Sequence, residues 1–229
     1  GRATAELFAA EGATLALIDR DAEPLDQVAR AIGAHAFALD LADREALRDA
    51  VRAAAAAMGG IDGVVNCAGI AGSMPLDALD EDRWDSFVAI NLTAPYLLCR
   101  AALPFLRDAG DATIVNIASG QALLPNVPGI AAYASTKAGL TTFTKALAAE
   151  LSPAIRANVV APGIVNTPMV QSVLGGYADP DDAPFVAQYA MKRVARPEEL
   201  ARAILFLSCA DSSYVTGTVL AVDGGRTFH

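Results

Sequence analysis

The stretch Ala112-Thr113-Ile114-Val115-Asn116-Ile117-Ala118-Ser119 decides the fold that this sequence predicts. Its apolar run predicts a strand over 112–117, and the pattern of 133–151 predicts a long helix after it. Short apolar runs alternate with longer helical segments along the rest of the chain as well. This alternation predicts an α/β fold in which helices cover a mostly parallel sheet.

The other elements follow from the same two patterns. Further strands are expected at 14–19, 35–40, 63–66, 157–160 and 219–222. Further helices are expected at 2–11, 23–32, 44–58, 84–100 and 198–207. Residues 175–184 form the one long polar stretch, which is typical of a surface loop or lid. Since no repeat or linker divides the chain, residues 1–229 are expected to form one domain.

Size and composition favour an intracellular protein. The chain has 229 residues, which suits one α/β domain with a substantial core. Hydrophobic residues make up 54% of it, and many of them are alanine. No apolar run approaches the roughly 18 residues that a membrane-spanning helix needs. Cys67, Cys99 and Cys209 are far apart, which predicts free thiols and a cytoplasmic location.

Charge and histidine content exclude several classes of function. The net charge of −9 disfavours nucleic acid, anionic membranes and acidic proteins as partners. The only histidines are His35 and His229. A histidine-based triad or a histidine-rich metal site is therefore not expected, and we predict no metal.

The first residue, Gly1, is followed at once by a predicted helix. In a dinucleotide-binding unit, a glycine-rich turn joins the first strand to such a helix. We interpret Gly1 as the last glycine of that turn, so that the first strand of the sheet would be missing and leave a gap in the core. A measured mass of the native protein that matches the printed chain would refute this interpretation.

A tyrosine, a lysine and a serine predict proton-transfer chemistry. In Tyr133-Ala134-Ser135-Thr136-Lys137, Tyr133 and Lys137 lie one turn apart on the same helix face. An ammonium favours the phenolate, so we expect Lys137 to lower the pKa of Tyr133. Ser119, just after a strand, would hydrogen-bond the same substrate oxygen. An amphipathic helix with an incidental tyrosine and lysine would also explain Tyr133 and Lys137 if they stood alone.

Polar and small residues follow three predicted strands, where ligands bind in open α/β sheets. Asp19 would accept the ribose hydroxyls of an adenosine and repel a 2′-phosphate, although aspartate there is also a common turn former. Asp40 would meet the adenine amino group, with Leu41 packed on its ring. Asn66-Cys67-Ala68-Gly69 would let the backbone approach the ribose, and a plain turn is the alternative.

Two further segments carry candidate residues. Asn91 lies inside an apolar helix and needs a polar partner or a structural water. Pro162 and Gly163 would form a rigid shelf against which a flat ring could rest. Val165 and Thr167 would then bond a carboxamide, and a structural turn is again the alternative.

In this order, the residues resemble those of the short-chain dehydrogenase/reductase family, in its single-domain branch. The resemblance runs through Gly1, Asp19, Asp40, 66–69, Asn91, Ser119, Tyr133, Lys137, 162–167, Thr216-Gly217 and Val222-Asp223-Gly224-Gly225. It implies a Rossmann-like, doubly wound, three-layer αβα fold with strand order 3-2-1-4-5-6-7, here without strand 1. The chain departs from the family pattern in lacking the glycine motif that would bind a pyrophosphate.

The resemblance also implies an activity and residue roles. The protein would interconvert a secondary alcohol and a ketone with NAD, and less readily with NADP. Tyr133 would be the general acid/base, and Ser119 would orient the substrate oxygen beside Gln121. Lys137 would lower the pKa of Tyr133 and bind the nicotinamide ribose, and Asn91 would hold a proton-relaying water. A homotetramer or homodimer is implied by analogy, with helices 84–100 and 133–151 and the strand that ends at Val222 as candidate interfaces.

The substrate is expected to be a small neutral alcohol or ketone. Its pocket would be formed by 71–75, 120–127 and a lid around 169–193, including Val173. No arginine falls in the first two segments, so an anion clamp is not evident there, although Lys192 and Arg193 could supply one. Alternatives are a 3-oxoacyl thioester (acyl-carrier-protein) reductase, a non-catalytic NAD-binding regulator and a sugar-nucleotide epimerase.

Overall fold

Strands and helices alternate along the chain of this computed structural model, which describes residues 1–171 and 176–228. The strands are β1 (Ala16–Asp19), β2 (His35–Ala38), β3 (Gly63–Asn66), β4 (Ala112–Ile117), β5 (Ile155–Pro162) and β6 (Val219–Val222). The helices are α1 (Arg2–Ala10), α2 (Ala22–Ile32), α3 (Arg44–Met58), α4 (Glu81–Val88), α5 (Ala94–Ala109), α6 (Gly120–Leu123), α7 (Ala131–Leu151) and α8 (Pro197–Ser208).

The strands are parallel and form two sheets. β1 pairs with β2, and the second sheet has the order β3-β4-β5-β6. β1–β6 correspond to strands 2–7 in the family's numbering. The observed order is therefore the expected 3-2 followed by 4-5-6-7, without strand 1. Among the described residues, the facing edges of β1 and β3 have no partner strand. A cavity of about 1530 Å³ is lined by both. The predicted Rossmann-like α/β class is therefore confirmed, with the interruption between β1 and β3.

Helices cover both faces of the four-stranded sheet. On one face, Leu47 of α3 and Leu106 of α5 are fully buried against Ile114 of β4. On the other face, Leu207 of α8 packs against Val160 of β5. β4 and β5 are buried along almost their whole length, as expected for central parallel strands covered on two sides. Apolar burial on both faces therefore holds the carboxyl ends of these strands in place.

The predicted helix 84–100 is wrong in length. It runs continuously over Glu81–Ala109, as α4, a π-helical turn at Ala89–Thr93, and α5. Asp80 caps its start, since its Oδ1 accepts a hydrogen bond from the Arg83 amide at 2.7 Å. Pro104 lies inside α5 without ending it, because the burial of this segment offsets the loss of one backbone hydrogen bond.

This long helix is also the one described segment that could cross a membrane by length and composition alone. Its best window has a mean hydropathy of 1.3, and 39% of that window is buried within the chain. No uninterrupted apolar run of the sequence marks this segment. Core helices pass the same test, and α5 contributes Leu97 and Leu106 to the main core.

The lid is the region where the sequence prediction is least complete. Within the expected polar loop 175–184 and beyond it, the structure has short 3₁₀ helices at Pro180–Asp182 and Pro184–Gln188. Ala183, Val186 and Val194 form a small buried cluster of their own. Residues 172–175, which include Val173, lie outside the described residues. We call residues 176–194 the lid segment.

Candidate active site

Ser119 lies just beyond the carboxyl end of β4 and begins helix α6. Its Oγ accepts a hydrogen bond from the Gln121 amide at 3.1 Å, so the serine caps this short helix. The residue is buried. Because the cap fixes both the helix and the hydroxyl, any movement of α6 would also move Ser119.

Tyr133 is in the first turn of α7 and its side chain faces Ser119. Burial raises the pKa of Tyr133, and a side-chain hydrogen bond with Ser119 acts in the opposite direction. Lys137 is not among the contributions to this shift, so its lowering of the pKa of Tyr133 stays a prediction. Desolvation of the phenol dominates, and the contribution that opposes it comes from the serine rather than from the lysine.

Lys137 follows one turn later and is only 5% exposed. Its Nζ donates to the carbonyl oxygen of Ile117, the last residue of β4, at 2.8 Å. Burial lowers its pKa to about 8. The hydrogen bond draws the ammonium towards the strand end, which places α7 and β4 around one cleft with Ser119.

Asn91 lies in the π-helical turn and is fully buried. Its Oδ1 accepts from the Ile70 amide at 2.9 Å, and its Nδ2 donates to the Ile70 carbonyl at 2.9 Å and to Thr136 Oγ1 at 3.3 Å. Thr136 in turn donates to the Tyr133 carbonyl at 2.9 Å. The side-chain amide is therefore used by protein groups, and a water held at Asn91 stays a prediction.

Thr136 is a residue that the sequence analysis missed, although it stands in the quoted Tyr133–Lys137 run. Its hydroxyl connects Asn91 with the first turn of α7. Gly69 is equally close to this group. A Cβ at Gly69 would lie 3.0 Å from Asn91 Oδ1 and 3.2 Å from Lys137 Nζ. A larger residue there would press on two side chains of the candidate site.

Several candidate cofactor residues line one cavity. Gly1, Asp19, Leu41, Asn66 and Ala68 all line the cavity of about 1530 Å³. It exceeds the roughly 300–1,000 Å³ of a usual ligand pocket because it includes the space between β1 and β3. Its lining combines an exposed carboxylate at Asp19 with a small residue at Ala68, whereas Ser119, Tyr133 and Lys137 are not among the residues that line it.

The two strand-end carboxylates, Asp19 and Asp40, also stabilise local turns. Asp19 accepts a hydrogen bond from the Asp21 amide at 3.1 Å, and Asp40 accepts one from the Ala42 amide at 2.8 Å. The turn-forming alternative is thus visible at both positions. Both aspartates are exposed and remain candidates for binding the adenosine part of a cofactor.

The Asn66 side chain belongs to a buried polar network. Its Nδ2 donates to Asn116 Oδ1 at 2.7 Å and lies 3.6 Å from Cys99 Sγ. Asn116 Nδ2 donates to Thr144 Oγ1 at 2.8 Å. Burial raises the pKa of Cys99 to about 12, so this thiol stays protonated. The amide of Asn66 links β3 to β4 and α7, and only its backbone stays a candidate for the cofactor.

The segment after β5 is more tightly packed than the sequence suggests. Gly163 was expected to form part of a shelf for a flat ring, but a Cβ there would lie 2.9 Å from the Asp223 Cα and from Tyr189 Cε1. The space is filled by the lid segment and the chain after β6. Val165 forms a parallel bridge with Ala195, and Thr167 Oγ1 donates to the Val165 carbonyl at 3.3 Å. Pro162 ends β5 beside them.

The first expected substrate segment, 71–75, contacts residues 128–129, which lie just beyond the second expected segment, 120–127. The Met74 amide donates to the Gly129 carbonyl at 2.8 Å, and Ser73 Oγ donates to the Pro128 carbonyl at 2.8 Å. Gln121 is tied to Asn126, as Nε2 donates to Asn126 Oδ1 at 3.1 Å. Residues 71–75 and 120–129 therefore form one wall next to Ser119.

Positive charge reaches this wall from parts of the chain that the sequence analysis did not consider. A Cβ at Gly120 would lie 2.9 Å from Arg226 Nη1, and one at Gly72 would lie 3.3 Å from Arg83 Nη2. Arg193, expected as a possible clamp, is held instead by two hydrogen bonds to Glu199, at 2.8 and 2.6 Å. The two segments contain no arginine, but Arg226 and Arg83 from other parts of the chain lie beside them.

Comparison with known proteins gives matches over nearly the whole chain. A family model described as enoyl-(acyl carrier protein) reductase matches residues 1–227. A protein of Xanthobacter autotrophicus named inactive 2-(S)-hydroxypropyl-CoM dehydrogenase 2 is 39% identical, over 94% of this chain and 96% of its own length. A cyclopentanol dehydrogenase of a Comamonas species is 36% identical, over 96% of this chain and 90% of its own.

Solved structures agree with these relatives. A short-chain dehydrogenase/reductase of Brucella melitensis, described as a glucose/ribitol dehydrogenase, has a TM-score of 0.91 and 36% identity, covering 99% of this chain and 91% of its own. A 3-ketoacyl-(acyl-carrier-protein) reductase of the same species in complex with NADH has a TM-score of 0.91 and 34% identity, covering 99% and 93%. A gluconate 5-dehydrogenase of Burkholderia cenocepacia in complex with NADP and tartrate has a TM-score of 0.91 and 32% identity, covering 100% and 92%.

Proposed function

Because this chain belongs to the short-chain dehydrogenase/reductase family, we propose that it interconverts a secondary alcohol and a ketone by NAD(P)-dependent hydride transfer. One observation carries the proposal. Ser119 and Tyr133 come from different elements and interact through their side chains, and Lys137 is buried one turn away at the end of β4. A hydroxyl pair beside an ammonium in a cleft at the strand ends is suited to an alcohol or carbonyl oxygen.

Each side chain has a separate task in this proposal. Tyr133 donates its proton to the ketone oxygen in reduction and takes the hydroxyl proton in oxidation. Ser119 holds the same substrate oxygen by a hydrogen bond. Lys137 supplies a donor and a positive charge beside the ribose, and Asn91 fixes the Gly69–Ile70 backbone there. When bound, the dinucleotide would supply or accept the hydride at its nicotinamide ring.

We assign NAD as the preferred cofactor. Asp19 at the end of β1 would accept the ribose hydroxyls and repel a 2′-phosphate. Arg20, the cation that could favour NADP, has its Nε 3.6 Å from Asp21 Oδ1. Related solved structures contain NADH in one case and NADP in another, so the assignment depends on Asp19. Comparable catalytic efficiency with the two cofactors would overturn it.

The substrate class is a small neutral alcohol or ketone, cyclic ones included. The cyclopentanol dehydrogenase among the relatives supports this class. A 3-oxoacyl thioester reductase is the second candidate, supported by the solved structure of a 3-ketoacyl-(acyl-carrier-protein) reductase. The relative named as inactive makes a non-catalytic NAD-binding protein the third candidate, against which the full Ser119, Tyr133 and Lys137 group argues.

We further propose a cytoplasmic homotetramer or homodimer. The long helix Glu81–Ala109 is apolar, but only 39% of its most apolar window is buried within the chain. Trp84 and Tyr96 on this helix are 40% and 39% exposed. Tyr96 also contacts Phe143 of α7 edge to face, which gives an aromatic patch shared by both helices. Light scattering that gives the mass of one chain would exclude this assembly.

A panel assay tests the function directly. The purified protein is incubated with cyclopentanol, open-chain secondary alcohols and the matching ketones, and with a 3-oxoacyl thioester, each with NAD(H) and NADP(H). Turnover is followed by the absorbance of the reduced cofactor. Oxidation of alcohols with NAD supports the proposal, and turnover of the thioester alone supports the second candidate. Binding of NAD without turnover of any compound would favour the non-catalytic alternative.

A further inference from the structure

Arg226, after β6, is a buried cation held by neutral groups. Its side chain is 6% exposed, and none of the ion pairs among the described residues includes it. Nη2 donates to the Leu124 carbonyl at 2.7 Å and to Asn126 Oδ1, and Nε donates to Gln188 Oε1 at 3.4 Å. Since burying an unpaired guanidinium is costly, these contacts have to be kept in good geometry.

The three acceptors belong to two different segments. Leu124 and Asn126 form the loop after α6, and Gln188 ends the 3₁₀ helix Pro184–Gln188 of the lid segment. Asn126 Nδ2 also donates directly to Gln188 Oε1 at 2.6 Å. Within the described chain, this is the one direct hydrogen bond between the lid segment and the loop 124–129. We call Gln121, Asn126, Gln188 and Arg226 the Arg226 cluster.

This cluster leads to the candidate catalytic serine. Gln121 and Asn126 exchange two hydrogen bonds, both of 3.1 Å, and the Gln121 amide donates to Ser119 Oγ at 3.1 Å. The guanidinium also fills the space beside Gly120, where a Cβ would lie 2.9 Å from Nη1. A short series of hydrogen bonds thus links the lid segment, through α6, to Ser119.

The backbone of Arg226 is fixed from the other side by Asp223. The Asp223 carboxylate accepts hydrogen bonds from the amides of Gly225 at 3.0 Å, Arg226 at 3.2 Å and Thr227 at 3.0 Å. Although burial acts to raise it, these bonds and the Thr227 hydroxyl lower the pKa of Asp223. The turn that carries Arg226 is therefore held by a charged carboxylate.

We propose that Arg226 is a positioning residue that couples the lid segment to Ser119 by holding Asn126, Gln188 and the end of α6 together. The inference rests on the proposed function, since it concerns the substrate pocket of the same site. Arg226 contacts no residue assigned to hydride or proton transfer. Its loss should therefore loosen substrate binding more than it slows the chemical step.

Kinetics of four variants test the coupling. Arg226→Met removes the charge, Arg226→Lys keeps it, Asn126→Leu breaks the bridge at an exposed position, and Arg202→Met on the exposed face of α8 is the matched control. Arg226→Met and Asn126→Leu should each raise KM roughly tenfold. This rise corresponds to about 1.4 kcal/mol, which is within the usual contribution of a hydrogen bond. We expect kcat within about threefold of wild type, unchanged NAD affinity and partial rescue by Arg226→Lys.

A double variant separates coupling from plain stability. Asn126→Leu combined with Arg226→Met should raise KM hardly further than either change alone, because both break one cluster. Additive effects would overturn the coupling. So would a variant that melts at a lower temperature but keeps the wild-type KM and kcat when assayed well below that temperature.

Hydrogen exchange gives a readout that does not need turnover. Arg226→Met and Asn126→Leu should both lose amide protection in 120–129 and in 176–190, while Arg202→Met should lose it in neither. Loss in only one of the two segments overturns the proposal. If the wild-type protein shows no turnover but the variants show this exchange pattern, the proposed function is refuted and the coupling is kept. If the wild type turns over normally but the variants exchange like the wild type, the coupling is refuted and the proposed function is kept.

Discussion

Burial acts in opposite directions on the two titratable residues of the site. It disfavours the charged form of each, so it raises the pKa of Tyr133 and lowers the pKa of Lys137 to about 8. A phenol that keeps its proton is ready to donate it to a carbonyl oxygen. The interaction with Ser119 is the one described contribution that favours the phenolate. The serine thus has an electrostatic effect as well as a positioning one.

Replacing Tyr133 with phenylalanine should abolish most of the turnover. The change removes the hydroxyl that would exchange a proton with the substrate oxygen in the proposed mechanism, and it leaves the ring in place. We expect kcat to fall by roughly 10²–10⁴-fold, the usual contribution of a general acid/base, while NAD still binds. Steady-state assays with the best alcohol measure kcat, and a fluorescence titration with NADH measures cofactor binding. Tyr214→Phe, at a fully exposed position, is the matched control, and near-normal activity of Tyr133→Phe would remove the mechanism.

Lys137 should make the free energy of unfolding rise with pH. Its pKa falls from 10.5 when unfolded to about 8 when folded, so between these values the unfolded chain binds more protons than the folded one. Burying the ammonium costs about 3 kcal/mol at neutral pH, and this cost falls progressively as pH rises from about 8 to 10.5.

Urea unfolding of wild type and Lys137→Met between pH 7 and 10 measures this effect. The difference between the two proteins isolates the lysine from other groups that titrate there. The wild type should gain stability relative to the variant over that range. A difference that does not change with pH would mean that the ammonium is well solvated in the folded protein.

At the scale of elements, the sequence predicted those whose pattern reflects burial. The strands at 63–66, 112–117 and 219–222 and the helix at 44–58 have the predicted ends. Helix α6 was missed because four residues are too few for a helical period, and its start depends on one serine cap. The continuation of α5 through Pro104 was missed because local propensity disfavours it and only the tertiary burial allows it.

Gly163→Ala should strain the junction between β5, the lid segment and the chain after β6. Its Cβ would lie 2.9 Å from the Asp223 Cα and 3.0 Å from the Asp223 carbonyl oxygen, which are backbone atoms that cannot turn aside. We expect a loss of about 1–3 kcal/mol in the free energy of unfolding, as for other overpacked sites. Urea unfolding measures it. Gly176→Ala, whose Cβ would meet nothing within 4 Å, should change little. Equal stability of the two variants would contradict the packing described here.

At the scale of the whole molecule, the site joins residues that are far apart in sequence. Ser119, Tyr133 and Lys137 could be predicted because a short spacing and a preceding strand define them. Arg226 could not, since it meets Asn126 across 100 residues and neither position belongs to a recognisable motif. The rise in the pKa of Tyr133 was equally hidden, because it depends on how deeply the folded chain buries the ring.

The two sheets provide the last prediction, because the candidate cofactor residues are divided between them. Asp19 is on β1 of the two-stranded sheet, whereas Ala68 follows β3 and Lys137 contacts the end of β4. A ligand held by both groups would connect β1–β2 to the four-stranded sheet across the cavity that Asp19 and Ala68 line. A ligand that binds only the folded protein at 100 times its Kd adds about 2.7 kcal/mol of stability.

Hydrogen exchange with and without NAD should therefore show increased protection of β1 and β2 together with β3 and β4. In Asp19→Ala, the protection of β1 and β2 should return towards the ligand-free level. β3 and β4 should keep part of theirs, because Lys137 and the 66–69 segment would still bind the cofactor. Glu23→Ala, at a nearby exposed carboxylate on α2, is the matched control and should behave as wild type. If NAD protects the four-stranded sheet alone in the wild type, Asp19 does not hold the cofactor, and the preference for NAD over NADP loses its physical basis.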